Sequence, residues 1–196
     1  MSDKVTTLGA MEKEVSSCTR CPLHESRTHT VFGEGAVDAD VLVVGEAPGK
    51  DEDISGRPFV GRSGRLLRDL LNENLGESGV DIFIANLVKC RPPNNRNPES
   101  TEIEACVGYL YRQIETISPK VVLAVGAFAA KTLLSTKLGV GALRGQIYYD
   151  GKLAVAPSFH PAAALRGGPS VVTKIRADLA LVNLFLKGEI QPCPYP

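Results

Sequence analysis

The feature that most constrains this chain is an alternation. Short, wholly apolar, β-branched runs are each followed by a turn and then an amphipathic stretch. Val41-Leu42-Val43-Val44 is the first run, Ile82 to Val88 the second and Val121 to Val125 the third. A strand with one wet face would alternate apolar and polar residues; continuous apolar runs fit strands buried on both faces, as in parallel sheets. Between the runs, Gly64 to Leu75 places Leu66, Leu67, Leu70 and Leu71 on one helical face, with Gly76 positioned to stop the helix. Ser100 to Ile117 reads as a helix with Ser100 as N-cap, Ala127 to Leu134 as another, and Val171 to Leu186 as the closing one. Residues 6–17 read as a short helix that delivers Cys18. Gln146 to Tyr149 and Leu153 to Ala156 flank Asp150-Gly151, a hairpin signal. The order βαβαβα with short connections predicts a parallel sheet with helices on both faces. Ligands bind such sheets outside the carboxyl ends of the strands. The polar, Gly/Pro-rich segments at Gly45, Cys90 and His160 each follow a predicted strand, so they are expected at one rim.

With 196 residues, no internal repeat and no linker, residues 1–196 are expected to form a single domain, with the Pro-rich tail 191–196 outside its core. The longest apolar run, Val121 to Ala130, is far short of the roughly twenty residues of a membrane span. The polar start Met1-Ser2-Asp3-Lys4 shows no secretory signal, and the expected location is cytoplasmic. Lys plus Arg and Asp plus Glu are 22 each. That balance argues against a protein binding nucleic acid by bulk charge, yet leaves room for a local basic groove. Trp is absent, so any base-stacking site must use Phe or Tyr.

Five cysteines carry the next constraint: Cys18 and Cys21 as C-x2-C, Cys90 and Cys106 as C-x15-C, and Cys193 in the tail. Four thiolates suit a soft metal, and C-x2-C brings two sulfurs to one site from a tight turn. Spacing alone leaves zinc and an iron–sulfur cluster both open, beside disulfides and plain buried thiols. The repeated C-x2-C of a zinc ribbon is missing. Cys193 reads as a spare.

Three segments carry a resemblance when taken together. They are Gly45-Glu46-Ala47-Pro48-Gly49 with Gly56-Arg57-Pro58-Phe59-Val60-Gly61, then Asn86-Leu87-Val88-Lys89-Cys90-Arg91-Pro92-Pro93, then Ser158-Phe159-His160-Pro161. In order and spacing, and with the four cysteines, they resemble the family 4 uracil-DNA glycosylases, a thermostable iron–sulfur branch. The match runs from residue 18 to about residue 185. The resemblance implies a three-layer α/β/α sandwich around a central, mainly parallel four-stranded sheet. It also implies a [4Fe–4S] cluster on Cys18, Cys21, Cys90 and Cys106. The implied activity is monofunctional: uracil is flipped out of DNA and its N-glycosidic bond hydrolysed, leaving an abasic site for base excision repair.

A glycosylase takes the base out of the stack and reads its edge. By the resemblance, Phe59 stacks on the flipped uracil. Asn86 pairs with N3–H and O4, because an amide both donates and accepts; cytosine would leave it mismatched. His160 donates to O2, where negative charge grows as the bond breaks. Glu46 is the candidate for positioning or deprotonating the attacking water, although other glycosylases carry Asp in this loop and Asp51, Glu52 and Asp53 lie close by. The backbone N–H groups of Ala47 and Gly49 are expected to face the base or a phosphate, with Ala47 standing where the family pattern has Gly. After His160 the segment Pro161-Ala162-Ala163-Ala164-Leu165-Arg166 reads as a loop entering the minor groove, with Leu165 as wedge and Arg166 as groove or phosphate contact. Arg62, Arg65 and Arg68 at helical spacing, and Lys89, Arg91 and Arg96 around the cysteines, are candidates for the DNA backbone, with Arg62 and Arg91 foremost. Expected partners are uracil-containing DNA, single- or double-stranded, and other repair or replication proteins; the expected state is a monomer.

Three other readings compete. A non-catalytic uracil-DNA sensor on the same fold is one; a DNA-trapping relative carries a His-containing insertion where this chain has the short Gly139 to Gln146 segment. An iron–sulfur electron-transfer protein would explain the cysteines but leave Phe59, Asn86 and His160 unused. A doubly wound nucleotide-binding enzyme lacks its glycine motif or P-loop here.

Overall fold

The computed structural model describes residues 2–196. Its frame is four parallel strands: β2 (Val41–Gly45), β3 (Ile82–Asn86), β4 (Val121–Val125) and β6 (Ala154–Ser158). Register runs through Val43, which pairs with Ile84 on one side and Leu123 on the other. Short strands extend the sheet beyond the four expected. They are β1 (Glu34–Gly35), antiparallel to β3, then β5 (Tyr148–Tyr149) and β7 (Cys193–Pro194), giving the order β1-β3-β2-β4-β6-β5-β7.

The continuous apolar runs have the predicted cause. Leu42, Val44, Val122 and Ala124 pack into one core with α1 (Ser2–Ser16), α4 (Ser100–Ile117) and α5 (Ala127–Leu133). Their neighbours Val41, Val43, Val121 and Leu123 pack into a second core with α3 (Arg62–Leu75), α7 (Pro161–Gly167) and α8 (Pro169–Leu186). Successive residues of a strand face opposite sides, so both faces need apolar side chains. The result is the three-layer α/β/α sandwich. Among the described residues no helix is long and apolar enough to cross a membrane.

Several local expectations need correction. α3 ends at Leu75, but Gly76 stays right-handed (φ −61°); the left-handed residue is Gly79 (φ 65°), after one further 3-10 turn. Ser100 is the first residue of α4, not its cap. Glu99 precedes it, donating its N–H to Glu102 Oε2 at 2.7 Å. The second strand stops at Asn86, because Leu87 and Val88 turn their N–H groups to the carbonyls of Gly45 and Glu46. Residues 161–166 are helix, not loop: Pro161 sits at the first turn, where its missing N–H costs nothing, and the alanines that follow are the best helix formers. Two short helices, α2 (Lys50–Ser55) and α6 (Val140–Leu143), were not anticipated. The tail has no buried residue and runs along the sheet edge. Cys193–Pro194 pairs with Tyr148–Tyr149, and the Tyr195 hydroxyl donates to Leu153 O at 3.3 Å.

Candidate active site and cysteine pocket

The carboxyl ends of β2, β3 and β6 open onto one cleft of about 510 Å³. Glu46, Ala47 and Gly49 reach it from the turn after β2, Asn86 as the last residue of β3, and His160 just beyond β6. Phe59, Arg96 and Arg166, all expected, also line it. Leu165 and Arg62 lie on an adjoining surface depression shared with Arg166. Arg91 is not among the lining residues; its Nε donates to Asn95 Oδ1 at 2.6 Å, and Asn95 does line the cleft.

Phe59 is held in a conformation few residues adopt, with φ 52°. The causes are local. Arg68 Nε and Nη2 take the carbonyls of Phe59 and Pro58 at 3.0 and 2.6 Å, and the same guanidinium is anchored on Glu34. Gly64, in the first turn of α3, lies directly on the Phe59 backbone: a methyl group there would sit 2.1 Å from the Phe59 carbonyl carbon. Gly45 has the same role at the other side, where a methyl group would sit 2.4 Å from Asn86 Oδ1 and 2.5 Å from the Phe59 ring. The Phe59 and His160 rings face each other at 6.0 Å between centroids, tilted by 33°. Arg68 is therefore a structural clamp, not a candidate for the DNA backbone.

Asn86 is buried, and its Oδ1 is the buried side-chain polar atom without a hydrogen-bond partner among the described residues. Leaving such an acceptor unmet costs about 1–3 kcal/mol, and it lies in the wall of the cleft. His160 caps α7, its Nδ1 accepting the Ala162 N–H at 3.2 Å. With Nδ1 an acceptor, the ring proton of the neutral tautomer sits on Nε2. Burial, with Arg166 adding to it, pulls the His160 pKa down to about 4. The imidazole is thus a neutral donor at physiological pH. Glu46 is half-buried, and burial pushes its carboxyl pKa up.

Glu52 was the least anticipated element. Its Oε1 accepts the N–H groups of Val60 and Gly61 at 2.9 and 2.8 Å, and its Oε2 accepts that of Gly49 at 3.1 Å. One carboxylate therefore ties the β2 turn to the Phe59 loop. It also consumes the Gly49 N–H expected to face the base. Glu52 stands three residues after Gly49, the spacing at which a helix's third residue reaches back to its cap, and that spacing was the available signal.

A second pocket shares no lining residue with the cleft. Cys18, Cys21, Cys90 and Cys106 line it together with Arg27, Lys89 and Tyr109. Burial pushes the thiols of Cys21, Cys90 and Cys106 up, that of Cys106 to about 11. Two donors point at sulfur: Arg27 Nη1 to Cys90 Sγ and the Lys89 N–H to Cys106 Sγ, each at 3.3 Å. Arg27 also holds the carbonyls of Ser16 and Cys18, so it braces the C-x2-C turn. None of the five cysteines is joined to another in a disulfide. No group of three or more His, Cys, Asp or Glu side chains among the described residues is arranged to hold a single metal ion. Cys193 lies elsewhere, with its thiol on Gln146 Oε1 at 3.2 Å. Lys89 is buried with its ammonium on Asn86 O and Gln113 Oε1, so it is no DNA contact. Arg96 does line the cleft, pinned by a two-pronged pair to Glu102.

A parallel-sheet sandwich with an aromatic, an unsatisfied amide and a neutral histidine donor facing one rim defines a base-recognition class, and comparison with known proteins names it. The model of the uracil DNA glycosylase superfamily matches residues 32–180, and the chain belongs to that superfamily. It is 47% identical over 170 residues to the type-4 uracil-DNA glycosylase of Saccharolobus solfataricus, a match covering 83% of this chain and 79% of that one. The type-4 uracil-DNA glycosylase of Sulfurisphaera tokodaii is 45% identical over 168 residues, covering 81% and 76%. That of Thermotoga maritima is 43% identical over 182 residues, covering 91% and 94%. Within the superfamily these similarities put the chain in the type-4 branch.

Proposed function

We infer that this chain is a monofunctional uracil-DNA glycosylase acting in base excision repair, working as a single cytoplasmic domain and as a monomer on DNA. The observation that carries the reading is the buried, unpartnered Asn86 amide oxygen in a cleft that also holds Phe59 and the Nε2–H of His160. A base edge that offers an N–H to Asn86 and a carbonyl oxygen to His160 satisfies both; uracil does, and its flat ring fits against Phe59.

In this reading the flipped uracil stacks on Phe59 and pairs with Asn86. As the glycosidic bond breaks, negative charge develops on the ring oxygens, and the His160 donor, already oriented by its bond to Ala162, stabilises it more than it stabilises the ground state. Glu46 holds or deprotonates the water that attacks the sugar, and its charge favours the positive sugar. Ala47 narrows the mouth of the pocket. Leu165 is 38% exposed on α7, next to the cleft, a suitable wedge for the gap left by the flipped nucleotide. Arg166, Arg62 and Arg91 supply phosphate contacts.

The four-cysteine pocket supports a [4Fe–4S] cluster held by Cys18, Cys21, Cys90 and Cys106. Four thiols lining one pocket make a soft, all-sulfur ligand set, and donors to sulfur are the usual companions of such clusters. Bound there, the cluster supplies a cross-link between the N-terminal segment and α4. Hydrolysis of an N-glycosidic bond moves no net electrons.

The test is base release from an oligonucleotide with one uracil, followed by alkali, beside matched thymine and cytosine strands. Uracil-dependent breakage only after alkali is expected. No breakage by protein with intact cysteines would move the chain to the sensor reading. Glu46 can be tested separately through pH. Burial raises its pKa, so excision is expected to fall as pH drops through a value above the ordinary carboxylate range. Glu46→Gln should slow excision by about 10²- to 10⁴-fold and remove that acid limb. An unchanged acid limb in single-turnover rates would assign the base to another carboxylate.

A further inference from the structure

Lys89 is buried at 1% exposure, and none of the ion pairs of the described residues includes it. Its Nζ donates to Asn86 O at 2.9 Å and to Gln113 Oε1 at 2.6 Å, and the ammonium lies 6.0 Å from the centre of the Phe32 ring. Gln113 is fixed in turn by its own bond to Phe32 O at 3.0 Å. A buried ammonium without a carboxylate is expensive, so a side chain of this kind needs a reason beyond filling space.

The backbone around it supplies one. The Lys89 N–H donates to Cys106 Sγ at 3.3 Å, and its carbonyl accepts the Val31 N–H at 2.7 Å. Cys106 and Gln113 both lie on α4, seven positions apart, which is close to two helical turns and puts them on one face. Lys89 therefore touches the cysteine pocket through its main chain and the α4 side of that pocket through Gln113. Its ammonium returns to the residue that carries the base-reading amide. Asn86 is the last residue of β3, and the ammonium holds its carbonyl at that strand end.

We propose that Lys89 is a positioning residue for uracil recognition: its ammonium fixes the Asn86 main chain to α4 and the cysteine pocket, so that the Asn86 amide faces the base. The inference rests on the glycosylase reading and deepens it. It also gives the cysteines a consequence for base reading, since Cys106 and the residue that holds Asn86 share one hydrogen bond.

The experiment uses the full chain as isolated with its cysteine-bound iron. Lys89→Met keeps length and apolar volume and removes the donor and charge. The expected result is unchanged iron content, unchanged affinity for a duplex containing an abasic site, and inhibition by free uracil weakened by about ten- to a hundred-fold, with kcat falling alongside. Lys89→Gln, which keeps a donor on a shorter arm, should recover part of that loss, and it carries the test if Lys89→Met does not fold. Wild-type uracil inhibition in folded Lys89→Met, or in Lys89→Gln where only that variant folds, would overturn the proposal, as would equal losses of iron and abasic-site affinity, which would mark Lys89 as a general core residue. An inactive wild-type chain would instead count against the glycosylase reading itself.

Discussion

Replacing His160 with alanine is expected to slow uracil excision by about 10²- to 10³-fold, the usual effect of deleting one preorganised donor to a developing oxyanion. Affinity for abasic-site DNA should remain close to wild type. The state of the ring sets this outcome. Its Nδ1 is occupied by the Ala162 N–H, so Nε2 is the donor, and burial keeps the ring neutral until pH about 4. A donor that does not change charge between pH 5 and 8 should leave no step near the ordinary histidine pKa in the excision profile. Stability should behave differently. The unfolded chain takes up a proton near the ordinary value of 6.5, while the folded chain resists until about 4. The unfolded state then binds more protons in that window, so the stability due to the neutral ring is lost as pH falls from 6.5 toward 4. His160→Ala should flatten that part of the stability curve and lose a helix cap worth about 1 kcal/mol. Undiminished single-turnover excision by His160→Ala would remove the residue from the chemistry, and a wild-type rate step near 6.5 would show that the ring is charged after all.

The layered sandwich and the rim of the sheet could be read from residue patterns because they depend on short-range regularities. Val41 to Val44 and Val121 to Val125 are apolar at every position since each faces one of two cores, and a parallel sheet brings Glu46, Asn86 and His160 to one end whatever its edges do. The outermost edges escaped: β1 and β7 are two-residue pairings set by tertiary contacts, too short to leave a period, whereas β5 was legible through the Asp150-Gly151 turn that pairs it with β6. Charge was the harder lesson. Arg62, Arg65 and Arg68 look alike along α3, yet Arg68 turns inward to the Phe59 and Pro58 carbonyls while Arg62 stays exposed beside Leu165. Glu52, one of four acidic residues in the β2 turn and α2, is the one that ties two loops together. Which charge serves structure depends on where unpaired backbone groups happen to lie, and that is decided only when the segments meet. Lys89 misleads in the same way: a lysine in a basic segment suggests phosphate, but here it satisfies buried carbonyls.

Removing one cysteine of the pocket is the remaining change with a large expected effect. Cys90→Ala should lose the brown visible absorbance and the bound iron, and should lower the unfolding free energy substantially. The size follows from what the cluster would join. Cys18 and Cys21 lie in the turn after α1, and Cys90 follows β3 by a few residues; 68 residues separate Cys21 from Cys90. A cross-link closing a loop of about 70 residues is worth on the order of 4 kcal/mol in chain entropy, if the native geometry is unstrained. The hydrogen bond from Arg27 to Cys90 Sγ disappears as well, loosening its hold on the Ser16 and Cys18 carbonyls. Cys193→Ala is the matched control. It also removes a thiol, a half-buried one on the edge strand away from the pocket where Cys90 is buried, and it should keep full iron and near-wild-type stability. Denaturant unfolding of both variants, with iron measured per chain, separates the outcomes. A Cys90→Ala chain with full iron would refute Cys90 as a ligand, and absence of iron from both variants and from the wild type would show that the thiols of the pocket are only core packing. If Cys90→Ala loses iron while Cys193→Ala does not, and its inhibition by free uracil weakens in parallel, then the cysteine pocket supports base reading through the same few residues that run from Cys90 back to Asn86.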